Sequence, residues 1–149
     1  MVAHHPASSV GVRLLDCDHR EMGEILRELS SNVASGKPMQ DTARLLKAIR
    51  QITLTHFAME ESMMLATRYP GLAVHRLQHL WLVEQTEALA LRARKQCLYP
   101  GDQLLAFLTG SHLSHVHHSD NQYGSWLAQT FIASPPHMGS DTQLETPIV

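Results

Sequence analysis

Residues 45–63, LLKAIRQITLTHFAMEESM, are the stretch of sequence that decides the fold. Apolar side chains recur there every three or four positions, which is the period of one face of an α-helix. The apolar residues on this face are Leu45, Ile49, Ile52 and Met63. His56 and Glu60 lie one helical turn apart on the same face, where a core helix ordinarily carries leucine or isoleucine. The pattern predicts a long helix, near residues 41–67, whose buried face carries an imidazole and a carboxylate.

Clusters containing glycine and proline divide the chain into four segments. These breakers lie at residues 35–38, 69–71 and 99–102. Each segment has the periodicity of an amphipathic helix, and none has the alternation typical of a β-strand. The four predicted helices lie near residues 16–34, 41–67, 71–96 and 102–130. Because the connections are short, we expect an all-α fold, an antiparallel up-down-up-down four-helix bundle.

We expect three parts along the chain. Residues 1–11 form an N-terminal extension, residues 12–131 the four-helix bundle, and residues 132–149 a flexible C-terminal tail. The prediction of a tail rests on the polar, proline-rich composition that begins at Ser134-Pro135-Pro136. A chain of 149 residues is the size of one domain and can bury a hydrophobic core.

The composition argues against nucleic acid and membranes as partners. A net charge of -2 provides no basic surface for nucleic acid, and no apolar run approaches the roughly 20 residues that span a bilayer. The N-terminus lacks the charged and apolar regions of a signal peptide. Two cysteines, Cys17 and Cys97, do not form a disulfide framework, so we expect a reduced, cytoplasmic setting. Nothing in the sequence identifies a protein partner.

Histidines and carboxylates fall on the apolar face of every predicted helix. In chain order they are His19; His56 and Glu60; His75 and His79; and His115 and Asp120. One buried imidazole is ordinary, but each unpaired buried carboxylate costs several kcal/mol or more. Metal cations remove that cost. Seven ligands are too many for four-coordinate zinc, and nitrogen and oxygen donors without thiolate suit iron, so we expect two iron ions.

The pairing in the fourth helix is ambiguous. His115 and Asp120 are five residues apart, which places them about 140° apart around an ideal helix. By spacing alone, His112 with His115, or His117 with Asp120, would be equally good pairs. A carboxylate that bridges two metals tolerates an offset from the histidine, so periodicity leaves the choice open.

In its motifs the chain resembles the hemerythrins, a family of non-heme di-iron, oxygen-binding four-helix bundles. The resemblance covers roughly residues 12–130. It rests on four motifs in order: Asp16-x-Asp18-His19, His56-Phe57-x-x-Glu60-Glu61, His75-x-x-x-His79, and His115-x-x-x-x-Asp120. Each motif alone is a weak signal, but together they are specific. The resemblance favours His115 with Asp120 as the pair in the fourth helix.

The resemblance implies a role for each residue of the set. It implies one iron held by His75, His79 and His115, and a second held by His19 and His56. Glu60 and Asp120 would bridge both irons, together with an oxo or hydroxo group. The two-histidine iron would lack one ligand, and dioxygen would bind at that position.

His112 departs from the family pattern. Hemerythrins commonly carry a Trp-Leu pair just before the last histidine, and the leucine walls the oxygen pocket; here the residues are Ser111 and His112. One possibility is that His112 turns toward solvent or a neighbouring helix. The other is that it lines the oxygen pocket, where it would form a hydrogen bond at the open iron or ligate that iron.

The resemblance implies reversible dioxygen binding, for storage, delivery or sensing, and a binding protein rather than an enzyme. The alternative is a di-iron oxidase or peroxidase, or a nitric-oxide scavenger, with His112 as the proton donor at the same iron. A third interpretation is a structural or metal-storage site. The asymmetric ligand set argues against it, because structural sites close their coordination spheres.

Overall fold

The computed structural model describes residues 9–37, 39–95 and 102–132, and all regular structure in these ranges is helical. The helices are α1 (Arg13–Ala34), α2 (Met39–Ala66), α3 (Leu72–Lys95), α4 (Asp102–His115) and α5 (Asn121–Leu127). Two π-helical turns, Val116–Asp120 and Ala128–Ile132, follow α4 and α5 without a break, so residues 102–132 form one long fourth helix. The predicted all-α fold with four long helices is confirmed for the described residues. None of these helices is long and apolar enough to cross a bilayer.

The start of α1 differs from the prediction, because the helix begins at Arg13 and not at residue 16. Asp16 lies in the first turn and holds the preceding segment: its carboxylate accepts the backbone N–H of Val10 at 2.7 Å and the hydroxyl of Ser9 at 2.8 Å. Val10 is thereby buried against the bundle. The predicted division at residues 11 and 12 stays a prediction, and residues 1–8 and 133–149 lie outside the described residues.

Two apolar clusters make up the core. The larger cluster comprises Met22, Leu26, Leu29, Leu45, Leu46, Ile49, Leu104 and Leu108. The smaller cluster comprises Val10, Leu15, Met64 and Tyr123. Along α1, α2 and the fourth helix, the buried histidines and carboxylates lie in sequence between residues of one cluster and residues of the other. The bundle therefore carries a polar layer between two apolar layers.

A π-helical turn places Asp120 on the face of His115. In a π-helix the hydrogen bonds run from residue i to residue i+5, so a turn contains about one residue more than in an α-helix. The turn Val116–Asp120 immediately follows His115. The extra residue in this turn removes the angular offset between His115 and Asp120 that an ideal α-helix would give. The nearest ligand atoms of the two residues lie 3.0 Å apart.

Gly124 and Gly110 provide a matched test of the packing of the N-terminal segment. A Cβ atom on Gly124 would lie 2.8 Å from the carbonyl carbon of Val10, whereas a Cβ atom on Gly110 would meet nothing within 4 Å. We expect Gly124→Ala to lower the free energy of unfolding by about 1–3 kcal/mol. Gly110→Ala should raise it by up to about 1 kcal/mol through helix propensity. Urea denaturation measures both, and equal stabilities would contradict the packing of Val10 on α5.

Candidate metal centre

The structure brings all seven predicted ligands together in two groups. Within each group, one ligand atom from every residue lies within 4.8 Å of the others. The first group contains Glu60, His75, His79, His115 and Asp120, and the second contains His19, His56 and Asp120. Asp120 belongs to both groups. That these residues bind metal stays a prediction, but their convergence is a property of the fold.

The first group is built around three imidazoles and two carboxylates. Oε2 of Glu60 lies 3.0 Å from Nε2 of His75 and 3.4 Å from Nε2 of His79. Oδ1 of Asp120 lies 3.0 Å from Nε2 of His115 and 3.5 Å from Nε2 of His75. The Nε2 atoms of three histidines, contributed by α3 and α4, thus face carboxylates from α2 and the π-helical turn.

The second group is smaller and uses the other oxygen of the shared carboxylate. Nε2 of His19 lies 3.1 Å from Nε2 of His56 and 3.1 Å from Oδ2 of Asp120. Nε2 of His56 lies 3.9 Å from Oδ2 of Asp120 and 3.9 Å from Oε2 of Glu60. Both carboxylates therefore lie close to histidines of both groups, as bridging ligands would.

Several buried polar atoms of the cluster have no hydrogen-bond partner. Both carboxylates, Glu60 and Asp120, are 0% exposed. The unpartnered atoms of the predicted ligands are Nδ1 of His19, Oε1 of Glu60, Nε2 of His79, Nε2 of His115, and both oxygens of Asp120. His115 and Asp120 approach to 3.0 Å without the alignment of a hydrogen bond. Buried polar atoms without a hydrogen-bond partner are usually satisfied by a bound ion or water. Imidazole nitrogen and carboxylate oxygen atoms are suitable ligands for metal cations.

Carboxylates outside the cluster orient two of the histidines. Glu61 accepts a hydrogen bond from Nδ1 of His79 at 2.9 Å and another from Nε of Arg76 at 3.0 Å. Asp18 accepts one from Nδ1 of His56 at 3.3 Å. A proton held on Nδ1 leaves the Nε2 lone pair free to face the interior. In the sequence, Asp18 and Glu61 are visible only as neighbours of predicted ligands, and their bonds to histidines of other helices arise from the tertiary fold.

Phe57 fixes the plane of one imidazole. Its ring stacks on His79 with centroids 3.6 Å apart and an interplanar angle of 8°. The same ring lies 6.2 Å from His112 in a nearly parallel orientation. The sequence reveals Phe57 only as the residue after His56; its contact with α3 depends on the tertiary fold.

His112 is buried on the cluster side of α4. Its side chain is buried with the residue 7% exposed, so the solvent-facing alternative does not hold. Its Nε2 atom has no hydrogen-bond partner. Desolvation, together with the nearby His115 and His56 imidazoles, lowers the pKa of His112 to about 4. The ring is therefore neutral at neutral pH. A role in an oxygen pocket stays a prediction.

Ionisation in the cluster favours anionic carboxylates. Burial alone would raise the pKa of Asp120, but the close imidazoles of His115 and His19 outweigh it and hold that pKa far below its usual range. Burial likewise opposes ionisation of Glu60, but the hydrogen bond from His75 and the nearby imidazole of His79 lower its pKa overall. Both carboxylates therefore stay charged although they are fully buried, and bound cations would neutralise this charge.

A buried cluster of histidines and carboxylates inside a helical bundle defines a class of helical protein that is able to hold metal. The family model described as hemerythrin HHE cation binding domain matches residues 10–127. The chain belongs to this family, and the resemblance seen in its motifs is confirmed. Among curated proteins and solved structures, no match is found.

The buried, neutral His112 should make the protein sensitive to acid. Its pKa lies near 4 in the folded chain and near 6.5 in the unfolded chain. Between these values the unfolded state binds more protons, so stability is full above about pH 6.5 and falls as the pH decreases. We expect a loss of at most about 2 kcal/mol between pH 7.5 and pH 5 from this residue.

The contribution of His112 is isolated by comparison with His112→Leu. Denaturation of both proteins in metal-free buffer at pH 7.5 and pH 5 cancels the effects of the other histidines. The variant should lose less stability on acidification than the parent protein. An identical loss in the two proteins would contradict the burial of a neutral imidazole at position 112.

Proposed function

We propose that this protein is a non-heme di-iron protein that binds dioxygen reversibly, for oxygen storage, delivery or sensing. The observation that carries the proposal is the pair of ligand groups that share Asp120. Three imidazoles belong to one group and two to the other, which suits two ions with unequal coordination. Seven nitrogen and oxygen donors without a thiolate favour iron over four-coordinate zinc.

The ligand assignment follows the two groups. His75, His79 and His115 would hold one ion, His19 and His56 the other, and Glu60 and Asp120 both, alongside a solvent-derived oxo or hydroxo bridge. When bound, the ion pair would supply the electrons and the binding position for dioxygen. The chain orients the ligands through the hydrogen bonds that His79 donates to Glu61 and that His56 donates to Asp18.

Burial supports binding rather than turnover. All the predicted ligands are at most 8% exposed, and Phe57 covers one side of His79. Exclusion of water limits proton transfer to the centre and protects bound dioxygen from loss as a reduced product.

His112 supports a second candidate function. A buried imidazole that lacks a hydrogen-bond partner can donate or accept a proton near the centre. The same residues would then serve a di-iron oxidase or peroxidase, or a nitric-oxide scavenger. A pKa near 4 favours the neutral ring, which is a weak acid, and so favours the binding function.

We further propose that the four long helices are antiparallel, in an up-down-up-down order, and that the protein functions in the cytoplasm. The order of the clusters supports the arrangement: α1 runs from Leu15 of the smaller cluster to Leu29 of the larger, whereas α2 runs from Leu45 of the larger to Met64 of the smaller. The shortage of cysteine supports a reducing compartment.

Iron-loaded protein tests the function directly. Metal analysis should give two iron ions per chain, and the reduced protein should develop visible absorption bands in air that disappear on deoxygenation. Asp120→Asn, which removes the shared charge, should lose at least half of the iron and melt at a lower temperature. Glu84→Gln, on the exposed surface of α3, is the control. One iron per chain, or bands that never reverse, would contradict the proposal.

His112→Leu distinguishes the two candidate functions. Removing the imidazole should slow autoxidation and lengthen the lifetime of the oxygenated protein several-fold, because even a neutral ring can donate its N–H to a bound oxygen species and speed its loss. Stopped-flow absorbance from pH 6 to pH 8 measures this lifetime, with the exposed His117→Leu as control. Equal lifetimes in the parent and His112→Leu proteins would show that His112 takes no part in the chemistry.

A further inference from the structure

A large cavity lies between α2, α3 and the fourth helix, next to the metal cluster. Its volume is about 760 Å³, which is in the range of sites for small organic molecules. It extends along α2 from Ala43 to Leu54, a distance of about 17 Å at the helical rise. Its shape is elongated, and it is far larger than dioxygen requires.

The walls of the cavity are mainly aliphatic. They include Ile49, Leu82, Ala90, Leu104 and Leu108, and His112 lines the cavity beside the cluster. The hydroxyl of Thr53 is directed to Met22 and that of Thr86 to the backbone of Leu82, so neither needs a ligand. A hydrocarbon chain suits such walls because it makes no demand for hydrogen bonds.

The charged residues of the cavity lie on exposed positions of its edge. Arg50 on α2 pairs with Glu87 on α3 at 2.6 Å. Lys47, one turn earlier on α2, also lines the cavity, and no ion pair of Lys47 occurs within the described part of the chain. The edge therefore has two cations and one anion, and the unpaired cation favours an anionic group.

We propose that this cavity binds an alkyl carboxylate, with the chain between α2, α3 and the fourth helix and the carboxylate at Lys47 and Arg50. The proposal does not depend on dioxygen binding. It follows from the cavity and its charged edge, and it places the end of the chain toward His112.

Chain length and head group test the proposal in the full-length, iron-loaded protein. Isothermal titration with hexanoate, octanoate and decanoate should show saturable binding, with affinity rising about tenfold for each two methylenes. 1-Octanol should bind more weakly than octanoate. Acetate, which has the head group without the chain, should not bind in the same concentration range. Absence of saturable binding, or affinities independent of chain length, would overturn the proposal.

Two variants locate the site. Ala90→Phe fills the cavity and should weaken octanoate binding at least tenfold, whereas Ala106→Phe, on an exposed position of α4, should not. Lys47→Gln should weaken octanoate binding several-fold and leave 1-octanol unchanged, with Lys95→Gln as control. Lys47 is exposed, so its variant keeps the test valid if Ala90→Phe does not fold.

Carboxylate coordination to iron is the competing outcome. Octanoate binding that disappears on iron removal, and that is unchanged in both Ala90→Phe and Lys47→Gln, would place the carboxylate on the metal and overturn the proposal. Octanoate that binds equally with and without iron, and less well to both variants, supports the cavity.

Discussion

The rest of the structure depends on two fully buried carboxylates, Glu60 and Asp120, which lie among imidazoles. Anions in such a place are destabilising by several kcal/mol unless cations or hydrogen-bond donors compensate them. The imidazoles compensate only partly, since both oxygens of Asp120 lack an aligned hydrogen bond. All four long helices meet at this layer, so compensation by bound cations would couple metal affinity to the stability of the whole bundle.

The polar layer also explains the irregular fourth helix. A regular α-helix would direct His115 and Asp120 to different sides, and only one of them could then face the cluster. The π-helical turn Val116–Asp120 corrects this without ending the helix. Isolated π-helical turns are rare and occur frequently at functional sites. Here the turn allows the shared carboxylate to reach both groups of histidines.

Periodicity in the sequence is sufficient to predict the helices and the inward direction of most ligands. His56 with Glu60, and His75 with His79, are pairs that any α-helix places on one face. It is insufficient for His115 with Asp120, because a π-helical turn has no reliable local signature; only the family resemblance favoured that pair. Asp18 and Glu61 adjoin predicted ligands in sequence, yet each bonds to a histidine of another helix. Such contacts, like the cavity, arise from distances between helices.

His112 joins the two parts of the molecule that matter for function. Its ring lies beside Phe57, which stacks on His79, and the same residue lines the cavity. Leucine would pack better against both Phe57 and the aliphatic walls of the cavity, since a buried imidazole without a hydrogen-bond partner is destabilising. A histidine at this position is therefore better explained by a function that uses its nitrogen than by packing. A hydrocarbon chain that reached this end of the cavity would lie against the ring of His112, so the contents of the cavity would be coupled to the histidine and carboxylate cluster through one side chain.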